Sequence, residues 1–225
     1  MLSETVFLKL KGFFAESRII PIAVFTDITA ALKATELLLK HDITAVEITL
    51  RTDSALTCID AVRRRFPELC LGCGTVLSRE ELDAVSERGV DFAVSPCWSN
   101  DLFEHASTLQ IPYIPGIATP TELFRALEAG SDLVKFFPAA AIGGASYLKS
   151  IIAPFRKRGF HVIPTGGITE SNITQFLSIP EVICCGMSSI IERSLLEKGD
   201  FEELERRIVR FIDIIAQLRD RHQAF

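Results

Sequence analysis

"TAVEITLRTDSALTCIDAVRRRF", residues 44 to 66, sets two periodicities side by side. The apolar and β-branched residues of "TAVEITL" (44 to 50) predict a strand, whose successive side chains point to opposite faces. In "SALTCIDAVRRRF" (54 to 66), apolar residues return at three- and four-residue spacing, which predicts an amphipathic helix. Ser54 opens it with a hydroxyl able to accept an orphan backbone N–H. The unit is strand, short loop, helix.

That unit repeats to the end of the chain. Strand candidates lie at 18 to 25, 44 to 50, 69 to 74, 90 to 95, 111 to 116, 132 to 137, 160 to 165 and 181 to 186. Helical stretches such as 29 to 40, 78 to 89 and 119 to 130 alternate with them, and Gly89 and Gly130 close two of these. Strands apolar on both faces imply a parallel sheet covered by helices. The count and the length fit a closed (β/α)8 TIM barrel, an α/β fold, better than an open doubly wound sheet. A helix at about 3 to 16 is expected to cap the barrel bottom, and the tail 201 to 225 reads as one charged amphipathic helix with a solvated face. Without a linker or low-complexity segment, residues 1 to 225 read as a single domain.

Composition is ordinary for a globular chain of 225 residues, with 48% hydrophobic and 24% charged. A net charge of −5 argues against general binding to nucleic acid or an anionic membrane, since either needs a basic face. No signal-peptide order and no run of about 18 apolar residues is present, so a cytoplasmic protein is expected. "CLGC" (70 to 73) formally matches a redox or metal motif. It falls in a predicted strand, where residues three apart face opposite ways, and adjacent Cys184 and Cys185 fail by the same alternation. The six cysteines are therefore read as buried and reduced, and the four histidines show no zinc-like spacing, so no metal site is expected.

In "VEITLR", Glu47, Thr49 and Arg51 share one strand face, so a carboxylate and a guanidinium enter the barrel together. They form either an ion pair that fills the barrel or a reactive pair. "DLVKFFPAA" (132 to 140) places Lys135 among apolar residues, with Leu133 and Phe137 on its face. The amine either reaches out to water or serves as a Schiff-base nucleophile, which must shed its proton. "PTGGIT" (164 to 169) and "CCGMSS" (184 to 189) follow the seventh and eighth strands, where barrels commonly bind phosphate on backbone N–H groups. Their glycines could instead form plain tight turns, but two glycine turns at these two loops favour phosphate. Thr75, in "GCGT", and Thr165 put hydroxyls at the mouth, for a ligand or for capping the next helix.

These segments resemble the 2-keto-3-deoxy-6-phosphogluconate (KDPG) / 4-hydroxy-2-oxoglutarate (KHG) aldolase family, through "VEITLRT", "GCGTV", "VSP", "IPGIATPTEL", "VKFFPA" and "PTGGIT" in order. The resemblance implies class I chemistry with neither metal nor cofactor. Lys135 would form an imine with a keto-acid phosphate and Glu47 would act as general acid and base through a positioned water. Arg51, Thr75 and Thr165 would hold the pyruvyl carboxylate. Gly166, Gly167, Gly186 and Ser188 would surround the phosphate, with Phe137 and Pro96 as walls. The products would be pyruvate and D-glyceraldehyde 3-phosphate, and the assembly a homotrimer. Three positions depart from the family pattern: Met187 replaces a glycine and is expected to narrow the phosphate pocket, Cys73 replaces an alanine, and Asp27 brings a negative charge near the mouth. Alternatives are a galactonate-epimer aldolase, a metal-free sugar-phosphate isomerase and a non-catalytic metabolite-binding barrel.

Overall fold

A computed structural model describes residues 4 to 223. Nine strands run along it: β1 (Ile19–Ala23), β2 (Ala45–Thr49), β3 (Cys70–Gly74), β4 (Phe92–Val94), β5 (Tyr113–Ile114), β6 (Gly116–Ile117), β7 (Leu133–Phe136), β8 (His161–Pro164) and β9 (Cys185–Met187). Helix α1 (Glu4–Ser17) precedes them. The intervening helices are α2 (Ile28–Lys40), α3 (Ala55–Arg65), α4 (Arg79–Glu87), α5 (Asn100–Leu109), α6 (Pro120–Glu128), α7 (Gly144–Ile152) and α8 (Ile173–Leu177). Helices α9 (Arg193–Lys198) and α10 (Phe201–Gln223) follow β9.

Every strand pairing is parallel. β5 and β6 flank Pro115 and share one barrel position, the first half pairing with β4 and the second with β7. Bridges Val162 to Val182 and Thr165 to Gly186 join β8 to the chain around β9, so the sheet curls into the expected eight-membered barrel. The eighth strand candidate, 181 to 186, is shorter than the sequence suggests. Its early part supplies only the bridge at Val182, and the ladder forms at Cys185–Met187.

Alternation along the strands makes two apolar layers. Ile20, Ala45, Cys70, Phe92, Ile114, Leu133 and Ile163 fill the barrel interior, and Leu10 and Phe14 of α1 join that cluster. Phe14 meets Phe92 edge to face, with centroids 5.2 Å apart, so α1 closes the bottom as expected. The opposite faces, including Val46, Ile48, Leu71, Cys73, Val134 and Phe136, lie under the helices. Cys70 and Cys73 thus face different layers, as do Cys184 and Cys185.

Local signals fix the helix ends. Ser78 and Thr119 form reciprocal capping boxes with Glu81 and Glu122, each contributing about 1 kcal/mol. Gly89 and Gly130 take positive φ just beyond α4 and α6. Asp27 caps α2, while Ser54, against expectation, makes no cap bond and donates to Phe25 O. Leu204, Ile208, Phe211 and Ile215 form the buried stripe of α10, which packs on α2 and α9. Ser3 of the expected first helix and residues 224 and 225 of the tail lie outside the described residues. No described helix is long and apolar enough to cross a membrane.

Candidate active site

Lys135 points into the barrel because Leu133, two residues earlier on β7, does so. It does not reach out to the rim: the residue is 5% exposed, and Nζ donates to Glu47 Oε1 at 3.3 Å. Glu47 is 4% exposed. Phe137 continues the same face, its ring centroid 5.6 Å from Nζ. Replacing such a buried ion pair by apolar residues is often neutral or stabilising, so packing alone is a weak reason for it. What it supplies is an amine beside a proton acceptor, shielded from bulk water.

Thr49, between Glu47 and Arg51 in the sequence, donates to Ala23 O at 3.3 Å and so ties β2 to β1. Arg51 lies just beyond β2, exposed at the C-terminal end of the barrel, and its Nε donates to Thr75 Oγ1 at 3.3 Å. The two residues expected to share a carboxylate site are therefore in contact. Thr75 caps no helix, since Ser78 starts α4, and it holds a left-handed φ of 65°. A β-branched residue there is strained, which is common where a side chain must be aimed. Thr165 is buried at the end of β8 and donates to Ile163 O at 3.4 Å.

Gly166 and Gly167 take φ of 96° and 73° in the loop after β8, as a glycine turn requires. A Cβ at Gly166 would lie 3.1 Å from the Phe137 ring, and one at Gly167 would lie 2.6 Å from Ala140 Cβ. The expectation of a second glycine turn at Gly186 is corrected. Gly186 sits inside β9, paired with Ile20, and its missing side chain makes room for Thr165, whose Oγ1 would be 2.3 Å from a Cβ there. Ser188 is exposed just past that strand.

The departures at 187 and 27 also resolve. Met187 belongs to the layer under the helices and is fully buried there, so it does not narrow the interior. Asp27 spends its carboxylate on the Ala30 N–H at 2.9 Å. Pro96 is half-buried where β4 gives way to its loop. A Cβ at Gly116 would lie 2.2 Å from the Pro96 carbonyl carbon, so that glycine admits the loop backbone close to the register position of Lys135.

The KDPG and KHG aldolase family model matches residues 10–207 of the chain. The chain belongs to that family. Among its relatives, the KHG/KDPG aldolase of Escherichia coli K12 is 36% identical over 188 residues, 84% of this chain and 87% of that one. The 2-dehydro-3-deoxy-phosphogluconate aldolase of Haemophilus influenzae is 32% identical over 200 residues, 89% and 93% of the two chains. The KDPG aldolase of Legionella pneumophila, solved with pyruvate captured as a covalent carbinolamine, superposes with a TM-score of 0.84 at 33% identity. That match covers 88% of this chain and 95% of that one.

For this KDPG/KHG aldolase family member, sequence reasoning passed over the residues whose contribution is an empty space. Gly74 lies beneath the Glu47 carboxylate and Gly116 beside Pro96. "GCGT" contained the first signal, because strand interiors rarely carry two glycines without a close approach to explain them.

Proposed function

We propose that this chain is a class I aldolase that cleaves 2-dehydro-3-deoxy-6-phosphogluconate reversibly to pyruvate and D-glyceraldehyde 3-phosphate. The observation that carries the reading is the buried contact of 3.3 Å between the Lys135 amine and the Glu47 carboxylate. Glu47 takes the ammonium proton, and the freed amine attacks the C2 ketone. Return of a proton to the departing hydroxyl expels water and leaves an iminium. Glu47, through a water, then removes the C4 hydroxyl proton, the C3–C4 bond breaks, and its electron pair passes into the iminium to give an enamine. The aldehyde leaves. Protonation of C3 by Glu47 and hydrolysis by water release pyruvate and restore the amine.

Arg51, Thr75 and Thr165 hold the substrate carboxylate in this reading, and Gly166, Gly167, Gly186 and Ser188 surround the phosphate. Phe137 and Pro96 form the walls. The Arg51 to Thr75 contact and the positive φ of Gly166 and Gly167 support these roles. The whole chain acts as one domain, working in the cytoplasm as a homotrimer. Cleavage of 4-hydroxy-2-oxoglutarate to pyruvate and glyoxylate is a second reaction, favoured by the dual name of the Escherichia coli relative.

Incubation with pyruvate and borohydride tests the chemistry. A reduced pyruvyl adduct on Lys135 is expected by peptide mass, and its absence would exclude imine catalysis and leave a barrel isomerase. Comparing kcat/KM for the gluconate and galactonate epimers and for 4-hydroxy-2-oxoglutarate then ranks the substrates.

A further inference from the structure

Helix α10 is joined to the loop after β9 by one arginine, and that loop is joined to the loop after β8 by the side chain of Ser189. Arg207 Nη1 donates to the Ser189 carbonyl at 3.1 Å and forms an ion pair with Glu192 Oε1 at 2.9 Å, while its Nε donates to Glu203 Oε1 at 3.2 Å. Ser189 in turn donates its hydroxyl to Ile168 O at 2.9 Å. Ile168 follows Gly167 directly, and Ser189 follows Ser188. Arg210 adds a parallel tie, with Nε on Glu170 at 3.1 Å and Nη2 on Glu203 at 3.0 Å.

The opposite side of α10 is anchored independently. Glu205 accepts from Lys40 at 2.6 Å and contacts His41 at 2.7 Å, both at the end of α2. Hydrogen bonds from Arg206, Arg210 and Arg207 hold the Glu203 carboxyl down to about 2, so the network stays charged at working pH. Exposed ion pairs contribute little to overall stability. Their geometry is another matter: a planar guanidinium with several fixed donors can serve a carbonyl and two carboxylates at once, which an ammonium cannot match.

We propose that Arg207 is a positioning residue for the phosphate end of the substrate, holding the loop after β9 where Ser189 can tie it to the loop after β8, so that the backbone N–H groups of the two loops converge. The proposal rests on the phosphate reading given above. It leaves the carboxyl end of the substrate largely independent of Arg207, because Lys135, Arg51 and Thr75 are carried by other strands and Thr165 is held at the end of β8 by its own bridge to Gly186.

The test measures KM and kcat for 2-dehydro-3-deoxy-6-phosphogluconate, and half-saturation by pyruvate in borohydride trapping, in wild type and four variants. Arg207→Ala is expected to raise the KM about tenfold, with kcat and pyruvate half-saturation within about twofold of wild type. Arg207→Lys should fall between the two. Ser189→Ala, which removes only the link to Ile168, should show the same pattern more weakly and carries the test if the arginine variant does not fold. Unchanged KM in Arg207→Ala or Ser189→Ala, or an equal rise for pyruvate, overturns the positioning role. Gly166→Ala checks the premise: a raised KM supports it, and an unchanged one removes the phosphate from these loops and the proposal with it.

Discussion

Glu47 lies against Gly74 so closely that a Cβ at position 74 would fall 1.9 Å from Oε1 and 2.7 Å from Cδ. The carboxylate reaches Lys135 by crossing backbone that carries no side chain. Gly74→Ala is therefore expected to push the carboxylate away and lower kcat by about 10²-fold or more, the usual scale for losing a positioned acid–base group. Pyruvate trapping on Lys135 should slow, because Glu47 also takes the ammonium proton, but an adduct should still form on prolonged incubation. In a Glu47→Ala background the second change should cost nothing further, because nothing remains to displace. Losses that multiply instead would assign Gly74 some other role.

Thr75 combines an aimed hydroxyl with a left-handed φ of 65°. Thr75→Ala and Thr75→Gly both delete the contact to Arg51, but only glycine relieves the backbone. Both variants should require more pyruvate for half-saturation, while the glycine form should exceed the alanine form in stability by about 1 kcal/mol. Chemical denaturation of the pair checks this, and an alanine form as stable as the glycine form would show that the φ carries no strain.

Thiol chemistry should single out one cysteine. Cys97 is exposed, whereas Cys58, Cys70, Cys73, Cys184 and Cys185 are buried. Burial pushes the Cys70 thiol up to about 12 and raises the other four as well. Ellman's reagent at pH 8 should titrate one thiol per chain quickly and all six after denaturation. Cys97→Ser should abolish the fast phase.

His161 begins β8 with Nδ1 buried and unpartnered. Burial, followed by the charge of Lys11, lowers its pKa from 6.5. The unfolded chain therefore takes up this proton first as pH falls, and the native state loses stability below about 6.5. Melting temperatures at pH 7.5 and 5.5 should differ less in His161→Gln than in wild type. Equal differences would show that another group governs acid sensitivity.

The barrel was legible because its strands are apolar on both faces and its helices begin and end on recognisable caps. The alternation that put Glu47 and Lys135 inside is a property of single strands, so it could be read without knowing their neighbours. Gly186 was misread because a glycine in isolation suggests a turn, while its purpose is set by Thr165 on another strand. Met187 was misjudged for a related reason: the last strand starts later than its apolar run suggests, and only the true register turns that side chain outward. The ties of Arg207 and Arg210 join residues between four and 40 positions apart. On the sequence alone they are indistinguishable from the charges of any wet helix.

Phe14 against Phe92 has a kinetic consequence. With α1 stoppering one end, the barrel is a blind well, and Lys135 stands within it beneath the rim. In the proposed imine mechanism the fragment joined to that lysine would lie deeper than the one that is not. On the proposed mechanism the aldehyde is expected to leave before pyruvate, toward the end of the barrel where Arg51 and Thr75 lie.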